Sequence, residues 1–263
     1  MTGRPYVVLS CAMSLDGCLD GTGEARLVLS GEADLDRVDA ERAAADAILV
    51  GAATIRRDDP RLLVRSARRQ AERSARGLPP QPAGVTVTVS GDLDPAARFF
   101  RGPADGLDLG GPGDGAATAG PAVAPRRIVY AARPALAKLR DQLGNLAEVL
   151  DAGDSPQLQE IVADLGERGI RRLMVEGGAR LGSEFLAGGL VDELQLAIAP
   201  FFVGDPAAPR FAGPGRYPAS PAHPLRLTEA RPVGEVVLLR YRADGPEGGS
   251  KPPGSREEAA ARG

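Results

Sequence analysis

The chain has no tryptophan, one histidine (His223) and two cysteines (Cys11 and Cys18) in 263 residues. A zinc cluster of cysteines and histidines is thereby excluded, and so is a disulfide scaffold. A cytidine-deaminase centre is excluded as well, because it needs one His or Cys and two further Cys on its metal. Ser-His-Asp catalysis would fall to His223, which stands in a proline-rich stretch with no nucleophile elbow to serve. Long apolar runs are missing: none reaches the roughly 18 residues of a membrane span. The start, MTGRPYVVLSCAMSLDG, breaks its apolar run too early for a secretory signal. Neither sign of charge dominates, with 32 basic and 35 acidic side chains and a pI near 5.4. That balance argues against a nucleic-acid-binding surface. The expectation is a cytoplasmic protein with reduced thiols and with no metal, membrane or nucleic-acid partner.

What is present is ordinary for a globular chain, 43% apolar and 25% charged, with ample material for a buried core. Tyr6 to Ala12 is a short apolar run of the kind a two-sidedly covered strand shows. From Gly31 the period becomes helical, with Leu35, Val38 and Ala43 to Ala45 on one stripe behind Ser30 as N-cap. Asp46 to Gly51 is a second buried strand, so strand, helix and strand predict a parallel pair with a right-handed crossover. Further strands are expected at 85–90, 127–131, 148–150, 172–176, 193–199, 225–230 and 235–241. Helices are expected at 134–143, 156–168 and 178–186. The last strands, joined by Gly- and Pro-containing loops, read as an antiparallel edge on a parallel sheet. Residues 102–125 are almost entirely Gly, Ala, Pro and Asp, and 244–263 carry no apolar periodicity. These read as a flexible insertion and a disordered tail of one α/β domain spanning 1–243.

Two turns have the composition of anion sites. Gly51-Ala52-Ala53-Thr54 ends a strand and is followed by Asp58-Asp59-Pro60. Small residues there admit a ligand to the backbone, and a Thr hydroxyl can bond a phosphate. The competing reading is a small-residue turn packed under a helix that Asp-Asp-Pro stops. Glu176-Gly177-Gly178 ends another strand and opens a helix, which offers free N–H donors at the positive helix end. There the competing reading is a tight turn in which Glu176 caps its own helix. The basic run Arg65, Arg68, Arg69, Arg73 and Arg76 reads as a solvated helix face that would also attract a phosphate. Asp16-Gly17 and Asp20-Gly21 read as Asx turns.

RPYVVLSCAMSLDG, ILVGAATIRRDDPRL and LMVEGGARLGSEFLAGGLVDELQLAIAPFFVG occur in that order. Together they resemble the pyrimidine reductase of riboflavin biosynthesis, the C-terminal part of the bifunctional deaminase–reductase, over about residues 4 to 242. The resemblance implies a dihydrofolate-reductase-like α/β fold with a mostly parallel sheet, helices on both faces and an antiparallel C-terminal edge. It implies a homodimer that uses NADPH to reduce the ribosylamino group of a pyrimidine 5′-phosphate to ribitylamino, the 5-amino-6-(5-phosphoribosylamino)uracil reductase type of reaction. Cofactor contacts carry over to Ala12, Thr54, Asp58, Ser90, Gly177, Gly178, Ala179, Arg180, Leu181 and Gly182. Substrate contacts carry over to Arg42, Leu62, Arg65 and Glu176, with Arg65 at the phosphate. Glu176 and Asp58 are the candidate catalytic carboxylates. Departures from the family pattern are Arg26 for a substrate-contacting Ser, Val28 for an aromatic, and Ser10 for a Lys. They bear on substrate choice, and deamination is expected to fall to another protein. The rival readings are a reductase of another pterin or pyrimidine and a non-catalytic nucleotide-binding protein of the same fold.

Overall fold

A computed structural model describes residues 3–23, 27–102 and 124–243. In chain order the elements are β1 (Tyr6–Ser14), α1 (Glu32–Ala44), β2 (Ala47–Gly51), α2 (Ala52–Asp58), α3 (Ala67–Ala75), β3 (Ala83–Thr88), β4 (Arg127–Ala131), α4 (Leu136–Leu143), β5 (Glu148–Asp151), α5 (Leu158–Glu167), β6 (Arg172–Glu176), α6 (Ala179–Ala187), β7 (Glu193–Ala199), β8 (Arg226–Val233) and β9 (Val236–Arg242). Apart from Gly102, Ala124 and Pro125, the expected insertion lies outside the described residues, as do the expected tail and Arg26. Among the described residues the strands form one nine-stranded sheet in the order β5-β4-β3-β2-β6-β1-β7-β9-β8. The seven strands from β5 to β7 run parallel, and β9 and β8 close the edge antiparallel. This is the expected mostly parallel sheet with an antiparallel C-terminal edge.

One expectation is corrected. β1 and β2 are parallel but not neighbours, because β6 lies between them and pairs with both. Leu173, Met174 and Val175 are all fully buried, as are Val7 to Leu9 and Ala47 to Leu49 beside them. Strands apolar on both faces are stable only in the interior of a sheet that is covered on both sides. Helices supply that cover. α5 and α6 pack with Leu9, Leu49 and Val175 on one face, while α2 and α4 pack with Ile48, Val50 and Met174 on the other.

The apolar stripe expected on α1 is also corrected. Leu35 is exposed, and the residues that α1 buries are Asp34, Arg37, Asp39 and Ala43. Opposite them the sheet presents polar groups: Arg37 donates to Gln195 of β7 at 2.9 Å, and Glu41 holds Arg240 of β9 at 2.6 Å and Arg172 of β6 at 3.3 Å. Gly31, not Ser30, is the N-cap, and the Ser30 hydroxyl donates instead to the Asp34 carboxylate.

The basic run is a solvated face only in part: Arg65, Arg68 and Arg76 are exposed, Arg69 and Arg73 are not. Arg69 is paired with Asp36 and Asp39, and Arg73 is 1% exposed. The Arg73 guanidinium donates to the carbonyls of Ala43, Ala45 and Pro79 at 2.6–2.9 Å, joining α3 to the end of α1. Arg73→Met leaves three carbonyls without that donor, at about 1 kcal/mol each. The expected result is a loss of about 3 kcal/mol, read as a melting temperature lower by about 6–12 °C in calorimetry.

Candidate functional site

β2 and β6 lie side by side and end at the same edge, but the chain leaves them towards opposite faces. Ile55 of α2 packs on the side of Val50, and Leu181 and Phe185 of α6 pack on the side of Val175. A crevice opens where neighbouring parallel strands send their helices to opposite sides. At its base the two turns singled out in the sequence meet. Gly177 and Gly178 hold φ of 84° and 45°, and each is in close contact with α2. A Cβ on Gly177 would stand 3.2 Å from Thr54 Cγ2, and one on Gly178 would stand 3.2 Å from Thr54 Oγ1. The backbone therefore packs directly on the Thr54 side chain, and no side chain caps α6. The amides of Ala179, Arg180 and Leu181 have no carbonyl ahead of them in the helix.

The crevice widens into a cleft of about 370 Å³ lined by Ala12, Arg42, Thr54, Asp58, Leu62, Glu176, Gly177 and Gly178, all positions drawn from the sequence. The remaining predicted positions lie outside that lining. Arg65 is exposed, and its backbone N–H donates to Asp39. Ser90 is an exposed turn residue two positions past β3. Arg180 is exposed and pairs with Glu184 at 2.8 Å. Leu181 belongs to the core, and Gly182 packs on Leu9 and spends its N–H on the Gly178 carbonyl.

At the centre of the cleft Glu176 meets Arg42 in a fork. Nε donates to Oε1 at 2.7 Å and Nη2 to Oε2 at 2.6 Å, with both side chains about 15% exposed. Burial works against the Arg42 charge, but the facing carboxylate overrides it and holds the guanidinium above its ordinary pKa. Glu176 thus accepts both Arg42 bonds and keeps lone pairs to spare. Burial, reinforced by Glu176, pushes the Cys11 thiol up to about 12. Cys11 therefore stays protonated at neutral pH and is no nucleophile.

Sequence reasoning missed three charged groups in the lining. Asp34 and Arg37 form a buried pair at 2.6 Å, and the i, i+3 spacing was the available signal. Asp20 is paired with Arg57 at 2.9 Å and accepts from the Gly21 and Leu27 amides. It ties Leu27 of the cleft lining as well as the adjacent Gly21, rather than forming only a local Asx turn. Val28, 78% exposed, stands at the mouth.

The RibD C-terminal domain family model matches residues 5–239. The chain belongs to that family. This RibD C-terminal domain protein is 34% identical over 207 residues to the 2,5-diamino-6-ribosylamino-4(3H)-pyrimidinone 5′-phosphate reductase of Archaeoglobus fulgidus, a match covering 78% of this chain and 85% of that protein. It is 29% identical over 255 residues to the riboflavin biosynthesis protein RibD of Bacillus amyloliquefaciens, covering 94% of this chain and 60% of that one. Among solved structures, RibD of Acinetobacter baumannii aligns with a TM-score of 0.69 at 23% identity, over 92% of this chain and 58% of that chain. That likeness bears on the fold, and it agrees with the sheet and helix layers described above.

Proposed function

We propose that this protein is an NADPH-dependent reductase of riboflavin biosynthesis, converting the ribosylamino side chain of a pyrimidine 5′-phosphate to ribitylamino. The observation that carries the reading is the meeting of Thr54 with Gly177–Gly178 at the edge of the sheet, next to the Arg42–Glu176 fork. The fit to a dinucleotide is one of donors: Gly177 and Gly178 pack directly on Thr54, and no side chain caps α6, so the first amides of the helix are left for a phosphate chain. Gly177, Gly178 and the first amides of α6 would hold the phosphates, Thr54 and Asp58 the neighbouring hydroxyls, and Ala12 the ring. When bound, NADPH supplies the hydride that reduces C1′ of the ring-opened imine.

The chain's own residues orient and stabilise. Arg42 holds both Glu176 oxygens in one plane. The unused lone pairs accept from the sugar hydroxyls and face the positive charge of the protonated imine. As C1′ is reduced, the C=N π pair passes to nitrogen. For an imine not yet protonated, solvent supplies the proton through the open mouth at Val28.

The undeaminated diaminopyrimidinone is the substrate we place first. The Archaeoglobus relative named for it matches at 34%, against 29% for the RibD protein, and this chain covers most of that relative. The test is NADPH oxidation followed at 340 nm with the diaminopyrimidinone phosphate, its deaminated counterpart and dihydrofolate in parallel. Turnover is expected on the first; turnover on dihydrofolate alone would overturn the reading. A homodimer in the cytoplasm belongs to the same proposal, with β8 the last strand of the sheet among the described residues, Leu227 exposed on it and Val237 exposed on β9. Sedimentation velocity tests it.

Asp58 lies at the rim of the cleft. For Asp58→Ala the expected result is an NADPH Kd raised about tenfold, the cost of one hydrogen bond to a charged acceptor, with kcat nearly unchanged. Fluorescence titration reads the first and steady-state kinetics the second.

A further inference from the structure

Arg127 opens β4 at 3% exposure, far from any role the proposed reaction gives it. Among the described residues its guanidinium meets no carboxylate. Nη2 donates to the Arg61 carbonyl at 3.1 Å, and Nε and Nη1 have no hydrogen-bond partner. The group lies over the Phe99 ring, 4.9 Å from its centroid. Its room comes from Gly84, the register partner on β3, where a Cβ would stand 2.1 Å from Nη1. Burial pushes the group down to about 10, so it stays charged at neutral pH. A charge held inside without a carboxylate to neutralise it costs stability, and an apolar side chain of similar length would cost less.

The one hydrogen bond that its guanidinium makes among the described residues points to its task. The Arg61 carbonyl lies between Asp59 and Leu62, non-glycine residues with φ of 42° and 53°. Such left-handed backbone persists only where neighbours hold it. Leu62 lines the cleft, and the carbonyl of Leu63 accepts from Arg42 Nη1 at 3.2 Å. The 61–63 backbone is thus tied to Arg42 on the cleft side and to Arg127 on the sheet side.

We infer that Arg127 is a positioning residue: through the Arg61 carbonyl it holds the left-handed turn that sets Leu62 and, by way of Leu63, the Arg42–Glu176 fork. The kinetic part rests on the proposed reductase reading. A backbone readout stands apart from it. R127M fills the same space without the donors. It is expected to keep or raise the melting temperature while amide exchange in peptides covering 59–65 speeds up and that of β3 stays unchanged. The KM for the pyrimidine phosphate is expected to rise about tenfold with kcat within about threefold, and R127K is expected to recover part of both changes. If R127M folds poorly, R127Q, too short to reach the carbonyl, is read by the same peptides. Exchange at 59–65 equal to wild type in the folded variant overturns the inference. A wild-type protein that turns over no pyrimidine overturns the reductase reading and leaves the exchange result to decide the role of Arg127.

Discussion

Glu176→Gln lowers kcat about a hundredfold while NADPH binds within a factor of about two of wild type. The first figure corresponds to about 2.7 kcal/mol, the scale of breaking one partner out of a buried charged fork. Glutamine keeps the shape but turns an N–H₂ group towards the Arg42 donors, so one of the two bonds at 2.6–2.7 Å becomes a clash of donors. Arg42 is left buried with half its partner, and the carboxylate facing the imine is gone. The cofactor cradle is spared because it is made by the backbone of the following residues, not by this side chain. The Arg42→Met variant removes the other half of the same unit. The double variant should then be little worse than either single one, a coupling that marks two groups acting together. Wild-type kcat in Glu176→Gln, or NADPH affinity falling in step with kcat, would remove Glu176 from the role assigned to it.

Gly177→Ala raises the NADPH Kd about thirtyfold. Two costs combine. Alanine at a φ of 84° is held in left-handed backbone, at about 1 kcal/mol. Its Cβ also arrives 3.2 Å from Thr54 Cγ2 and displaces the hydroxyl, which forfeits about one further hydrogen bond. Together these make about 2 kcal/mol, or about thirtyfold in Kd. Thr54→Ser, which removes Cγ2 and keeps the hydroxyl, should restore part of the affinity when combined with Gly177→Ala. A simple loss of fold would show no such recovery. Unchanged NADPH affinity in Gly177→Ala would show that the cradle is elsewhere.

The local pattern of the chain made much of this legible. Apolar runs bounded by charge or glycine predict Arg127–Ala131, Arg172–Glu176 and Glu193–Ala199 with the same ends the structure has. The double glycine after Glu176 marks its turn because two positive-φ positions in succession suit only residues without a Cβ. Less was legible where polar residues are buried. α1 looks amphipathic on its alanines, yet it buries Asp34, Arg37 and Asp39. Arg73 and Arg127 look like surface residues, yet each is at most 3% exposed. Hydropathy patterns register apolar burial and are blind to charges whose cost is met by carbonyls or ion pairs.

Local pattern and motif order were enough for the element types, the parallel sheet with its antiparallel edge, the two small-residue turns and the family resemblance. Each of these depends on residues close together in the chain, or on several motifs in a set order. Long-range packing put β6 between β1 and β2, closed Thr54 on Gly177 and Gly178, and set Arg42 in a fork on a carboxylate 134 positions away. Periodicity says which side of an element is buried. It does not say what is buried against it, because that depends on which long-range pairing covers the most apolar surface while leaving each buried charge a partner.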